Sequence, residues 1–273
     1  MDRREYPKFF LLILPAAVVF IAFFIIPMVR LAVVGGSGEL GLAAYMSFIT
    51  TPRHLESMIA TVLLSFSVTL AALAISTASG LFLVRNRFMG RETLISMLTF
   101  PLAFPGVVIG FLVIMLAGRQ GLIGEVTKAL TGSKMVFAYS MTGLFIGYLY
   151  FSIPRVILTI MAAAEKLDPA LEEAARSLGA APWRVIKDVV LPALRPGLIA
   201  SGAICFATSM GAFGTAFTLA TNIDVLPMTI YTEFTLNANI ASAASLSIIL
   251  GLVTWVALFI ARSLSGSTVA ASG

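Results

Sequence analysis

Six long apolar runs divide this chain, at 9–34, 57–83, 94–117, 136–161, 197–220 and 242–264. A helix needs about 20 mostly apolar residues to cross the hydrocarbon core of a bilayer. Only helices and closed barrels cross it with every backbone group satisfied. The runs therefore predict an all-α, polytopic membrane protein with about six transmembrane helices. The composition agrees, with 59% hydrophobic and only 11% charged residues, where a soluble domain carries about 25% charged. Polar side chains are too few to cover a core of this size, so membrane lipid must solvate the outside. Pro15, Pro27, Pro101, Pro105 and Pro154 fall inside the runs. Membrane helices tolerate prolines, because neighbouring groups re-satisfy the freed carbonyls.

The first run follows Arg3, Arg4 and Lys8. It is too long for a signal-peptide core and reads as an uncleaved first span. With the N-terminus in the cytoplasm, thirteen of the 18 Lys and Arg residues fall on the inner side. The positive-inside rule then places both termini in the cytoplasm. The segment 221–241 carries Asp224 and Glu233 and no Lys or Arg, which suits an external loop. These elements predict an N-terminal span and external loop over 1–56, one transmembrane domain over 57–264, and a short polar tail over 265–273. The net charge of +5 forms no basic patch with interleaved aromatics, so nucleic acid is not an expected partner. The single cysteine, Cys205, excludes an intrachain disulfide, and the single histidine, His54, has no Cys or His partner for a metal site. The pairs Gly106/Gly110 and Gly143/Gly147 have the spacing that lets helix backbones approach. Packing within the chain is the simpler use for them than a subunit contact.

The longest hydrophilic stretch, 162–196, carries the most local information. Asp168 can cap a helix, Pro169 fits its first position, and Glu172 and Glu173 lie where the helix dipole favours anions. Gly179 can end that helix in a left-handed conformation. A second short helix is expected to start near Pro182 and stop before Pro192. Leu167, Leu171, Ala174 and Leu178 form one narrow apolar stripe, and Glu172 and Arg176 form an i,i+4 pair expected on the outer face. A helix lying on lipid would carry a Lys/Arg-rich polar face. Acidic residues here favour a protein partner.

Glu173-Ala174-Ala175, three residues, Gly179, nine residues and Val189-Val190-Leu191-Pro192 resemble the EAA loop of ABC importer permeases. The family pattern ends in I-x-L-P, and this chain departs from it only at Val189. The resemblance covers roughly 57–264. It implies that the loop is a coupling helix docking on an ATP-binding subunit, with Leu171, Glu173, Ala174, Ala175, Leu178 and Gly179 as the docking and turning residues. It also implies the partners: two ATP-binding cassette subunits, a second permease subunit (identical or different), and a periplasmic solute-binding protein. The location implied is the bacterial inner membrane.

The chain lacks a G-x-x-x-x-G-K-[ST] phosphate loop and any Ser–His–acid or Cys–His arrangement. It is expected to be no enzyme and to hold no cofactor, with ATP and Mg used by the partner subunit. The six runs hold no Asp or Glu, which argues against an ion-coupled secondary transporter or channel, the alternative class. Arg155 is their one clearly internal charge, readable as a snorkelling residue near the cytoplasmic end or as a packing residue. The run from Pro154 to Pro192, especially Glu165 to Ala180, is similar to permeases of the polyamine (spermidine/putrescine) type. Those for 2-aminoethylphosphonate, ferric iron, thiamine and sulfate share much of it. Ser209, Met210, Phe213 and Thr215 form a small, polar and aromatic cluster that can line a solute path, with helix packing as the plainer use. Asp224 and Glu233 suit a cationic solute or a binding protein, or simply solvation in a loop.

Overall fold

The computed structural model describes residues 6–38, 41–219 and 223–265. It contains helices and no strand among the described residues. Six stretches are long and apolar enough to span a membrane: Leu12–Gly35, Pro52–Arg85, Gly106–Thr131, Met141–Ala164, Pro182–Met210 and Ile240–Leu264. Each overlaps one of the six apolar runs. The tail expected over 265–273 lies outside the described residues except for Ser265.

Helix α1 (Tyr6–Phe20) passes through one wide π turn, Ile21–Ile25, into α2 (Ile26–Gly35). A 3-10 turn, Gly41–Met46, leads to α3 (Ser47–Thr50) and the long α4 (Pro52–Arg85). The third run is not one helix. It forms α5 (Arg91–Thr99), a 3-10 turn at Phe100–Ala103, and α6 (Gly106–Ala117). Between them Phe104 is extended, with φ −93° and ψ 132°, because the ring of Pro105 disfavours the helical region for the residue before it. The chain turns at 118–121 into α7 (Leu122–Thr131), followed by α8 (Met141–Ala164) and the short α9 (Pro169–Ser177).

The helix expected to stop before Pro192 does not stop. From α10 (Pro182–Val185) it continues through a π turn at Ile186–Val190 into α11 (Leu191–Met210). Proline lacks an N–H, and its ring collides with the carbonyl four residues back. In the π turn the Leu191 N–H reaches Ile186 O instead, so the helix widens one residue ahead of Pro192. Pro27 is accommodated in the same way, with the Ile26 N–H bonded to Ile21 O. Last come α12 (Gly214–Leu219), α13 (Leu226–Thr235) and α14 (Ile240–Ser265). The segment 221–241 is thus not simply a loop, since it contains α13.

The chain divides into two compact units. Met1–Leu55 with Thr229–Gly251 form one, and Glu56–Met228 with Leu252–Gly273 form the other. In the first unit, no side chain from Leu12 to Val34 is buried, as suits a helix surrounded by lipid. Its end packs closely. A Cβ added to Gly35 would lie 2.7 Å from Tyr45 Oη and 3.0 Å from Ser245 N on α14. Tyr45 Oη donates to Ala32 O at 2.5 Å. His54 Nε2 lies 3.8 Å from Glu233 Oε1, so Glu233 is an internal partner rather than a loop charge in water.

In the second unit the core joins α4 (Leu64, Val68, Ala72), α6 (Val113, Ala117), α8 (Leu144, Tyr148, Val156, Ile160), α11 (Cys205) and α12 (Ala216, Leu219). In lipid, helices gain little from burying apolar surface against one another and rely on close backbone approach. Gly106 meets Thr215 N, and Gly214 meets Val107 N, each about 3.1–3.2 Å from where a Cβ would stand. A Cβ on Gly110 would lie 2.5 Å from Thr218 Cβ, and one on Gly147 2.8 Å from Thr215 Cγ2. The small-residue pairs therefore serve packing within the chain.

Candidate functional site

Helix α9 is built as its sequence suggests. Asp168 Oδ1 accepts from Ala170 N–H at 2.9 Å, and Pro169 holds the first helical position. At the other end Gly179 has φ +83°. Its N–H donates to Arg176 O at 2.9 Å, and the Ala180 N–H donates to Ala175 O at 3.1 Å. This is the paired bonding of a Schellman terminus, which satisfies two of the last carbonyls.

The face of α9 that meets the rest of the unit differs from expectation. Ala175 and Leu167 pack against a small core of Ala164, Val185, Val190 and Leu194. Glu172 was expected on the outer face, but its side chain is only 17% exposed. Its Oε1 accepts from Arg85 Nη2 at 2.5 Å, and Arg176 Nη2 lies 3.6 Å from its Oε2. The residues share this face because 172 and 175 are one turn apart. Arg85, the last residue of α4, gave no sign of this pairing in sequence, since 87 positions separate it from Glu172.

The remaining face of α9 is open. Leu171 is 56% and Leu178 90% exposed, and Glu173, Ala174 and Gly179 are exposed as well. Of the six residues marked as docking and turning residues, Ala175 alone is turned inward. Beside α9 lies an open cavity of about 1090 Å³ whose lining includes Arg85, Arg87, Arg91, Glu165, Glu173 and Arg176. The α4–α5 corner is thus gathered at the same end as α9. Gly90 there takes φ +89°, and Arg91 Nε donates to Leu83 O at 2.7 Å.

A second, smaller cavity of about 280 Å³ lies among α6, α8, α11 and α12. Thr215 lines it, whereas Ser209, Met210 and Phe213 are not among its lining residues. Ser209 and Met210 are fully buried. Thr208 on α11 and Ala212 in the turn beyond it line the cavity instead. Tyr148 Oη donates to Ala212 O and anchors the turn after α11. Arg155 also lines the cavity. It stands nine residues before the Ala164 end of α8, about 14 Å along the axis at 1.5 Å per residue. That depth is too great for snorkelling to the helix end, and the side chain lines this open cavity instead. A charge at the centre of a spanning helix costs about 2.5–3.5 kcal/mol on insertion scales, and such residues are kept for function.

Comparison with known proteins gives a consistent answer. Residues 72–268 match the family described as "Binding-protein-dependent transport system inner membrane component". The molybdenum transport system permease protein ModB of Escherichia coli (strain K12) is 36% identical over 212 residues, covering 75% of this chain and 92% of that protein. A putative 2-aminoethylphosphonate transport system permease protein, PhnU of Salmonella choleraesuis, is 30% identical, covering 87% of this chain and 85% of that protein. Sulfate permease 2, chloroplastic, of Chlamydomonas reinhardtii is 30% identical, covering 79% and 60% respectively. In fold, the chain resembles the crystal structure of a bacterial alginate ABC transporter in complex with an alginate pentasaccharide-bound periplasmic protein. The TM-score is 0.82 at 18% identity, over 96% of this chain and 95% of that one. It also resembles an inward-facing structure of the MetNI methionine ABC transporter, with TM-score 0.60 and 16% identity over 79% and 95%. The chain belongs to the family of inner-membrane permease components of binding-protein-dependent transport systems, the permeases of ABC importers.

Proposed function

We propose that this permease forms the solute path of an ATP-driven importer and that α9 is where an ATPase subunit acts on it. The observation that carries this reading is the two-sided construction of α9. One face is fixed to its own unit through Ala175 and the Arg85–Glu172 pair. The other presents Leu171, Glu173, Ala174 and Leu178 without cover. A rigid, capped helix of this kind can carry a push from a partner into α4, α8 and α11. The family is a transport component rather than an enzyme, so ATP and Mg belong to the partner. The assembly proposed has two ATP-binding subunits, a second permease subunit and a periplasmic binding protein. The similarly folded alginate ABC transporter, solved with a bound periplasmic protein, supports the binding-protein part of it. The cytoplasmic side is proposed for both termini and for α9, on the strength of the basic residues gathered at the α4–α5 corner.

For the solute, the similar permeases are named for molybdenum, 2-aminoethylphosphonate and sulfate. Molybdenum in neutral water is the molybdate anion, so all three solutes carry an oxyanion group. The polyamine expectation draws no support from these relatives. Its basis was the loop around α9, which faces the ATPase rather than the solute. The reading adopted is a small oxyanion. Uptake of labelled molybdate, sulfate and 2-aminoethylphosphonate by cells with and without this chain tests it, alongside co-purification of the ATPase. We expect uptake of one of the three to depend on the chain and co-purification to be lost in Leu178→Asp. Uptake of putrescine alone, or an ATPase retained by Leu178→Asp and Leu171→Asp together, would reverse the respective half of the reading.

A further inference from the structure

We infer that Arg155 is the anion-selecting residue of the solute path and that the cavity before it receives the oxyanion in transit. This rests on the oxyanion reading above and assigns it to one side chain. The cavity is lined by Phe104, Gly106, Ile109, Phe151, Thr208 and Thr215, and Arg155 is the one charged residue in its lining. Neither threonine offers a free donor. Thr208 Oγ1 donates to Ile204 O at 2.9 Å or Cys205 O at 3.0 Å, and Thr215 Oγ1 donates to Gly106 O at 2.9 Å. The hydrogen-bond donors left to side chains there are those of the guanidinium. No carboxylate or carbonyl among the described residues pairs with it.

A guanidinium without a protein partner, beside side chains that are apolar or already hydrogen-bonded, is poised for an anion. Its planar fork of five N–H groups matches an oxyanion two bonds at a time. The positive charge draws anions towards the cavity and repels cations, and the apolar side chains of Phe104, Ile109 and Phe151 beside it reduce screening by water. A volume of about 280 Å³ sits at or below the low end of small-molecule pockets, about 300–1,000 Å³, and suits a small ion. The charge also lies well inside α8 rather than at its mouth, where it can act on the solute during passage and not only at capture.

The test uses the complete importer, with its ATPase and binding protein, in proteoliposomes. Uptake of molybdate, sulfate and 2-aminoethylphosphonate is measured for the wild type, Arg155→Gln, Arg155→Lys and Thr208→Glu. ATP hydrolysis stimulated by the loaded binding protein is followed in parallel. Losing a charged hydrogen bond corresponds to about a 10- to 100-fold drop, expected in uptake by Arg155→Gln while hydrolysis continues. Arg155→Lys, which keeps the charge and loses the fork, should recover part of it. Thr208→Glu sets a carboxylate in the same cavity with the arginine untouched and should lower uptake comparably. If Arg155→Gln does not assemble, Thr208→Glu decides alone. Wild-type uptake in Arg155→Gln or in Thr208→Glu overturns the assignment, as does a Lys variant no better than Gln. A wild type that imports none of the three oxyanions removes the substrate reading itself, which is a separate failure.

Discussion

Arg85 at the end of α4 holds Glu172 on α9 at 2.5 Å, tying a 34-residue helix to a short, exposed one. The carboxylate is only 17% exposed and has Arg176 on its other side at 3.6 Å. A pair at the protein surface contributes about 0.2–1 kcal/mol, so its value for stability is small. Under the coupling role proposed for α9, the pair matters by holding α9 to the end of α4. Arg85→Ala and Glu172→Ala should each leave the protein inserted, with a melting temperature within a few degrees of the parent. Solute imported per ATP hydrolysed should fall several-fold. The exchanged pair, Arg85→Glu with Glu172→Arg, should regain part of that ratio. A ratio unchanged in both single variants would mean the bridge carries nothing.

Gly179 gives a complementary prediction. At φ +83°, a residue with a Cβ pays about 1–2 kcal/mol for the left-handed conformation. Nothing lies within 4 Å of where that Cβ would stand, so strain is the whole effect. Gly179→Ala should fray the end of α9 and weaken ATPase co-purification, whereas Gly179→Asn, which tolerates this region, should lie between it and the parent. Equal behaviour of Ala and Asn variants would argue that the terminus is not what the partner senses.

Much of this was legible in the sequence, and the reason differs by element. The six spans were readable because bilayer thickness imposes a length that apolar runs reveal directly. The cap at Asp168 and the turn at Gly179 were readable because both are set by neighbours within a few residues. Proline was the unreliable signal. Pro105 breaks a run expected to continue, while Pro192 sits inside a helix expected to stop. The difference lies in the preceding turn, which widens ahead of Pro192 and is broken by an extended Phe104 ahead of Pro105. Long-range partners were not readable either. Arg85 and Glu172 carry no pairwise mark, and the cavity takes Thr208 from α11 and Ala212 from the turn after it, rather than the buried Ser209 and Met210.

The approach of α6 to α12 yields a prediction about packing. A Cβ on Gly110 would stand 2.5 Å from Thr218 Cβ, a β-branched side chain that cannot swing aside. Overpacking of this kind costs about 1–3 kcal/mol. Gly110→Ala should lower the melting temperature in detergent by several degrees, and Thr218→Ala in the same chain should restore most of it. Gly251, around which a Cβ meets nothing within 4 Å, is the control. Gly251→Ala should leave the melt unchanged or raise it slightly, since alanine favours a helix by up to about 1 kcal/mol over glycine.

Tyr148 supplies the last prediction, and it concerns the turn that closes α11. The side chain is 1% exposed, and its hydroxyl donates to Ala212 O across 64 positions. Ala212 lines the smaller cavity beside Thr208 and Arg155, so this bond fixes one wall of the proposed path. Tyr148→Phe keeps the ring in the core and removes only the donor, leaving the Ala212 carbonyl to find another partner. A buried polar group left unsatisfied costs about 1–3 kcal/mol. The variant should therefore melt several degrees lower. If the wall matters, its uptake should fall more than its ATP hydrolysis, because the wall shifts while α9 does not. Tyr148→Leu, which removes ring and donor together, should lose more stability by opening a void of several carbon atoms. A Phe variant that melts lower yet transports at the parental rate would place Tyr148 in the scaffold alone.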